Sequence, residues 1–189
     1  MDAENRSADA AASTPTMPPR PATDARDVII TRVVDAPREL VFDAWTNPAH
    51  VAKWWRPKGF ETVVCEEMDV RVGGTFRFRM TLADGTVYMS RNIYREIEKP
   101  VRIVYDEACD KAGKPFHHAR MTVTFDDDVT RTAITIRARF EWLEGRDPQW
   151  TPEAMKQGLA KGWNDNLDLL EPYLDAIEAA SDESVRSRP

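Results

Sequence analysis

Between Thr151 and about Ala179 the chain carries Met155, Leu159, Trp163, Leu167, Leu170, Leu174 and Ile177 at intervals of three and four. That spacing lays them along one face of a helix and predicts a single long amphipathic element. Thr151, Pro152 and Glu153 mark its start: a capping hydroxyl, a proline whose missing N–H is harmless at the first helical position, and an acid at the positive end of the dipole. At 1.5 Å per residue the helix is about 40 Å long. A stripe of that length needs an equally long apolar surface against it.

That surface lies upstream, where the period changes to two. Six strands are predicted, over 60–68, 74–82, 87–97, 101–107, 118–125 and 131–142. Phe76, Phe78 and Met80 alternate with Arg77 and Arg79, so one face is apolar and the other wet. Met121, Val123 and Phe125, then Ile134, Ile136, Ala138 and Phe140, repeat the pattern. Asp84-Gly85 signals a hairpin, Lys99-Pro100 a corner and Asp126-Asp127-Asp128 a charged turn. Ahead of this meander, the β-branched segment VIITRVV reads as a strand. Asp35 reads as an N-cap for a helix with Pro37 in its first turn and Leu40, Val41, Ala44 and Trp45 on its apolar side. Asn47-Pro48 interrupts it, and a second short helix runs to about Trp54 before a turn at Arg56-Pro57-Lys58-Gly59.

The expected architecture is therefore α+β, a helix-grip arrangement: a curved antiparallel sheet wrapped around a long C-terminal helix, with two short N-terminal helices. The domain should span 27–179. Residues 1–26 are rich in Ala, Ser, Thr, Asp and Pro and almost devoid of large apolar groups, so burial cannot offset the entropy of ordering them, and they read as a disordered tail. Residues 180–189 read as a second one.

Composition narrows the function classes. Twenty-six Lys+Arg against 32 Asp+Glu give a formal charge of -6, which argues against nucleic acid as a partner. No apolar run reaches the roughly 18 residues of a membrane span. The acidic N-terminus does not look like a signal peptide, and Cys65 and Cys109 form no CxxC pair. Both features fit free thiols in a reducing cytoplasm. His117-His118 is a poor metal clamp, because adjacent strand residues point to opposite faces. No phosphate loop, HExxH or nucleophile elbow is present. Neither a metal nor a cofactor is expected, and no catalytic constellation is assigned.

DAPRELVFDAWTNPAHVAKWW, RVGGTFRF, DGTVYMSRNIYREIEKPVRIVY and KGWNDNLDLLEPYL, in that order, resemble the bacterial homologues of the activator of heat-shock protein 90 ATPase. Those proteins belong to the START-like superfamily of helix-grip ligand binders and cyclases. The resemblance covers about Asp27 to Leu174. It implies a cavity between sheet and final helix for an apolar small molecule such as a lipid or polyketide. It also implies, as an alternative, a chaperone partner whose ATPase the protein stimulates. Pro172 departs from the pattern, since it removes a hydrogen bond to Asp168 and should bend the helix there.

With a cavity expected, Phe76, Phe78, Met80, Met121, Phe140, Met155 and Leu159 are its best apolar lining, with Trp163 beside them and Trp55 at the mouth. Tyr88, Arg91, Tyr94 and His118 are the candidate polar groups that would orient a ligand. Parity sets Tyr88 and Tyr94 on one face of their strand and Arg91 on the other, so register decides which set looks inward. Gly158 and Gly162, four apart in the long helix, each cost about 1 kcal/mol relative to Ala. They imply either close approach of a ligand or close packing on a strand. The primary functional expectation is a binding module that sequesters or senses a small apolar molecule. A third reading is a polyketide cyclase or hydrolase using Tyr94 or His118 as acid or base.

Overall fold

The computed structural model describes residues 27–128, 130–141 and 151–186. The predicted tail over 1–26, the end of the last strand at Trp142 and the residues beyond Arg186 lie outside them. Strand β1 (Asp27–Val34) is followed by helices α1 (Arg38–Thr46) and α2 (Pro48–Trp54). Then come β2 (Phe60–Met68), β3 (Thr75–Leu82), β4 (Val87–Glu98), β5 (Arg102–Lys111), β6 (Lys114–Asp128), β7 (Arg131–Glu141) and helix α3 (Pro152–Arg186). The strands form one seven-stranded sheet in the order β1-β7-β6-β5-β4-β3-β2, antiparallel throughout. Because β1 and β2 are the two edges, α1 and α2 carry the chain from one side of the sheet to the other.

Alternation sorts the two faces. Outward-pointing Arg77, Arg91 and Arg120 meet Glu67, Asp110 and Asp106 at 3.1, 2.7 and 2.7 Å, a ladder of ion pairs open to water. Inward-pointing Met121, Val123, Phe125, Ile134, Ile136 and Ala138 are fully buried. Leu167, Leu170 and Leu174 of α3 close over them, also at 1% exposure or less. Each of these side chains larger than alanine contributes about 1.5–3 kcal/mol relative to leaving it exposed. Arg32 of β1 binds Asp168 of α3 at 3.0 Å and fixes this half of the helix to the sheet edge. At the other side of the core Trp45 stacks on Trp163 at 5.7 Å, 11° from parallel. Trp54 packs on Trp45 at 4.8 Å while donating its indole N–H to the Ala44 carbonyl at 2.9 Å.

The structure corrects four local expectations. Helix α1 begins at Arg38 with Pro37 in the N-cap position and no side-chain cap, so Asp35 is not the cap. The reason is that Pro37 holds an extended ψ of 144° and starts the helix behind it. Strands β5 and β6 run on to a two-residue hairpin at Ala112-Gly113, where both φ angles are positive (50° and 74°). Lys-Ala-Gly-Lys lacks the Asn or Asp that usually announces such a turn. Helix α3 passes through Pro172 without interruption and continues to Arg186, into the stretch expected to be a loose tail. Pro172 and Asp168 are both exposed, so water can take the hydrogen bond that the proline cannot donate.

Candidate functional site

The C-terminal part of α3 sits tightly on the sheet, whereas its first turns stand off β3, β4, β5 and β6 and leave a pocket of about 250 Å³. One wall is aromatic. Trp55, just after α2, lies flat on Phe78 at 4.7 Å and meets Trp163 edge-on at 4.8 Å. Phe60 meets Tyr88 edge-on at 5.5 Å, and Phe140, Met80, Met155 and Leu159 complete the apolar lining. Gly158 and Gly162 lie in the helical wall. A Cβ added at Gly158 would meet no atom within 4 Å, and one at Gly162 only Pro57 Cβ at 3.9 Å. Close packing on a strand is therefore not why these glycines are there.

The opposite wall is polar and comes from the inner face of the middle strands. Cross-strand pairing sets Asn92 opposite Glu107, Ser90 opposite Cys109 and Cys109 opposite His117. Asn92 Nδ2 donates to Ser90 Oγ at 2.9 Å and to the Phe76 carbonyl at 3.2 Å, and Ser90 Oγ donates to Glu107 Oε1 at 3.2 Å. His117 Nε2 lies 3.7 Å from the same carboxylate oxygen, too far for a hydrogen bond. Asn92 Oδ1, the Tyr105 hydroxyl, both ring nitrogens of His117 and Asn166 Oδ1 are buried without a hydrogen-bond partner, and all of these residues line the pocket. Burial holds the Tyr105 phenol well above the usual tyrosine range, with the Glu107 carboxylate next in effect. It also pushes the Cys109 thiol well up, reinforced by Glu107 and Asp110, which makes this cysteine an inert thiol.

Of the residues singled out in the sequence, Trp55, Phe78, Met80, Tyr88, Phe140, Met155, Leu159 and Trp163 come together around this pocket. Phe76, Tyr94 and Met121 point inward but lie in the packed core: Phe76 and Tyr94 pack on each other at 4.8 Å, and Met121 has no exposed surface. Burial raises the Tyr94 phenol well above its ordinary range. Arg91 and His118 lie on the other face, around a broad hollow of about 620 Å³ among the outer ion pairs. The register brings Tyr88, Ser90, Asn92 and Tyr94 inward, and the bulge in β4 comes only after Tyr94, too late to turn Arg91 in. Tyr94 and His118 thus face different sides of the sheet and cannot act on one substrate.

Ser90, Asn92, Tyr105, Glu107, Phe116, His117 and Asn166 were not foreseen. Period two would have carried Ser90 and Asn92 inward once Tyr88 was placed there. A register shift between Cys109 and Asp110 sets Phe116 in a bulge, so that consecutive residues Phe116 and His117 both reach the pocket. No local pattern announces that. Among the described residues, no group of three or more His, Cys, Asp or Glu could hold a metal ion, and no helix is long and apolar enough to cross a membrane.

A curved antiparallel sheet gripping one long helix, with a pocket between them, defines a helix-grip, START-like domain. The family model for Activator of Hsp90 ATPase homolog 1-like proteins matches residues 35–175, and the chain belongs to that family. A crystal structure of a Chromobacterium violaceum protein is similar at 27% identity and a TM-score of 0.66, over 79% of this chain and 96% of that one. A solution structure from Arthrobacter aurescens matches at 24% identity and a TM-score of 0.66, over 82% and 90%. A Rhizobium leguminosarum structure matches at 24% and 0.64, over 79% and 94%. No curated protein matches the chain.

Proposed function

We propose that this protein binds a small, predominantly apolar molecule in the pocket between α3 and the sheet, and so sequesters or senses it. The observation that carries this reading is the pair Gly158 and Gly162. Two residues that weaken a helix by about 1 kcal/mol each line the pocket, Gly158 at its exposed edge with room for a methyl and Gly162 with only Pro57 Cβ at 3.9 Å from one, beside the aromatic wall of Trp55 and Phe78. At about 250 Å³ the pocket lies just under the roughly 300–1,000 Å³ of sites for drug-sized ligands, so its occupant is small. The two unpaired thiols support a reducing, cytoplasmic setting.

The test is native mass spectrometry on protein purified from its own host, followed by tryptophan-fluorescence titration with small apolar compounds. A discrete co-purifying mass, or saturable quenching that Met80→Arg abolishes in a folded protein, is the expected result. An empty protein whose Trp55 and Trp163 emission no compound perturbs would sink the reading. The family's description refers to a chaperone ATPase. Addition of this protein in excess to a purified chaperone separates that role from ligand binding, because the pocket reading predicts unchanged ATP turnover.

A further inference from the structure

We infer that the pocket selects a small apolar molecule carrying a neutral hydroxyl, and that it rejects carboxylates and other anions. The inference rests on the pocket reading above and deepens it. A pocket serving apolar groups alone would have no use for its polar wall, and burying unpartnered polar groups is costly. Here four residues that line one pocket, Asn92, Tyr105, His117 and Asn166, are each nine-tenths or more buried and each carries a buried polar atom without a hydrogen-bond partner.

The chemistry of the wall specifies the group that completes it. Asn92 spends its amide donors on Phe76 and Ser90, which fixes the side chain's orientation and leaves Oδ1, a pure acceptor, buried in the pocket wall with no partner. Asn166 Oδ1 is a second free acceptor, and the Glu107 carboxylate is a third acceptor group. The Tyr105 phenol, which burial keeps protonated, can donate. A hydroxyl both donates and accepts, so it satisfies an acceptor of this wall and the Tyr105 O–H together. A carboxylate only accepts. It could accept from Tyr105 and from a His117 N–H but would leave both amide oxygens unpaired beside the Glu107 charge, and no Lys or Arg lies among the described lining residues to neutralise it. Fatty acids and phosphorylated lipids are therefore disfavoured.

The test is isothermal titration calorimetry of the full chain with β-naphthol, naphthalene, β-naphthoate and naphthylmethylammonium as probes. β-Naphthol should bind about tenfold tighter than naphthalene, the effect of one net hydrogen bond, and β-naphthoate at least tenfold weaker than naphthalene. Tyr105→Phe removes only an unpartnered hydroxyl, and Asn166→Leu replaces the second orphaned acceptor. Each should bring β-naphthol toward naphthalene and leave naphthalene itself unchanged. Glu107→Gln should raise β-naphthoate affinity about tenfold. Equal binding of naphthalene and β-naphthol, tighter binding of the carboxylate or the ammonium, or variants that change all probes alike would overturn the selectivity while leaving ligand binding in place. If none of the four probes binds, the selectivity falls, and the co-purification and fluorescence titration above decide ligand binding itself.

Discussion

The Trp55 indole lies face to face with the Phe78 ring, 4.7 Å between centroids and 4° from parallel. Through this contact a residue outside any helix or strand becomes part of the sheet's inner wall, and the same indole meets Trp163 of α3 edge-on. Trp55→Ala removes these two ring contacts and a tilted one with Trp54 at 5.4 Å, but leaves fully buried Trp54 itself in place. Aromatic pairs contribute about 0.5–1.5 kcal/mol each beyond burial, so the half-buried Trp55 should cost about 2–3 kcal/mol in urea denaturation. Trp54→Ala should cost about 3–5 kcal/mol. Any ligand found for the wild type should bind more weakly to Trp55→Ala than to a surface variant of equal stability.

Tyr105→Phe is predicted to stabilise the unliganded protein. The hydroxyl is buried with no hydrogen-bond partner, so its removal relieves a desolvation penalty of about 1–3 kcal/mol and leaves a ring of the same shape packed on Phe76 at 4.9 Å. Thr132→Val is the opposite case. Its Oγ donates to the Ala36 carbonyl at 2.7 Å in a fully buried setting, and losing that bond should cost about 1–3 kcal/mol. Midpoints in urea that shift in opposite directions would bear out the contrast.

Gly158→Ala should raise stability by about 1 kcal/mol, since alanine is the better helix former and the added methyl meets no atom. The same methyl narrows the pocket, so thermal unfolding and ligand titration should move apart, with a higher Tm and a weaker Kd. A stabilised variant with unchanged affinity would remove Gly158 from the binding wall.

Asp106 sits between two arginines. Its hydrogen bonds with Arg120, at 2.7 and 3.1 Å, are the main cause holding its carboxyl below the usual range. Partial desolvation acts in the opposite direction, and Arg95 at 2.6 Å adds to the lowering. A depressed folded pKa means the stabilisation is present above the unfolded value of about 3.9 and is lost as pH falls through the folded value. The network is open to solvent, so each pair contributes about 0.2–1 kcal/mol. Asp106→Asn should therefore lower Tm at pH 7, and the difference from wild type should shrink below about pH 4. A penalty of equal size at pH 3 would contradict the assignment.

The stripe from Met155 to Leu174, the cap at Thr151 and the alternation of Phe76, Phe78 and Met80 with arginines are local patterns, each visible within two or three turns or a single strand. By themselves they determined the long helix, the meander and the α+β class, because backbone geometry ties a spacing of 3.6 or 2.0 residues to one kind of element. The pocket's polar wall could not be read this way. Ser90, Asn92, Glu107 and His117 have the composition of a solvent-facing row, and period two says only that alternate residues share a face, never which face is dry. Pairing across β4, β5 and β6 turned that row inward, a bulge at Phe116 brought His117 beside it, and α3 laid Asn166 and two bare glycines over it. A face becomes interior only when another element covers it, and that covering joins residues more than seventy positions apart, such as Asn92 and Asn166.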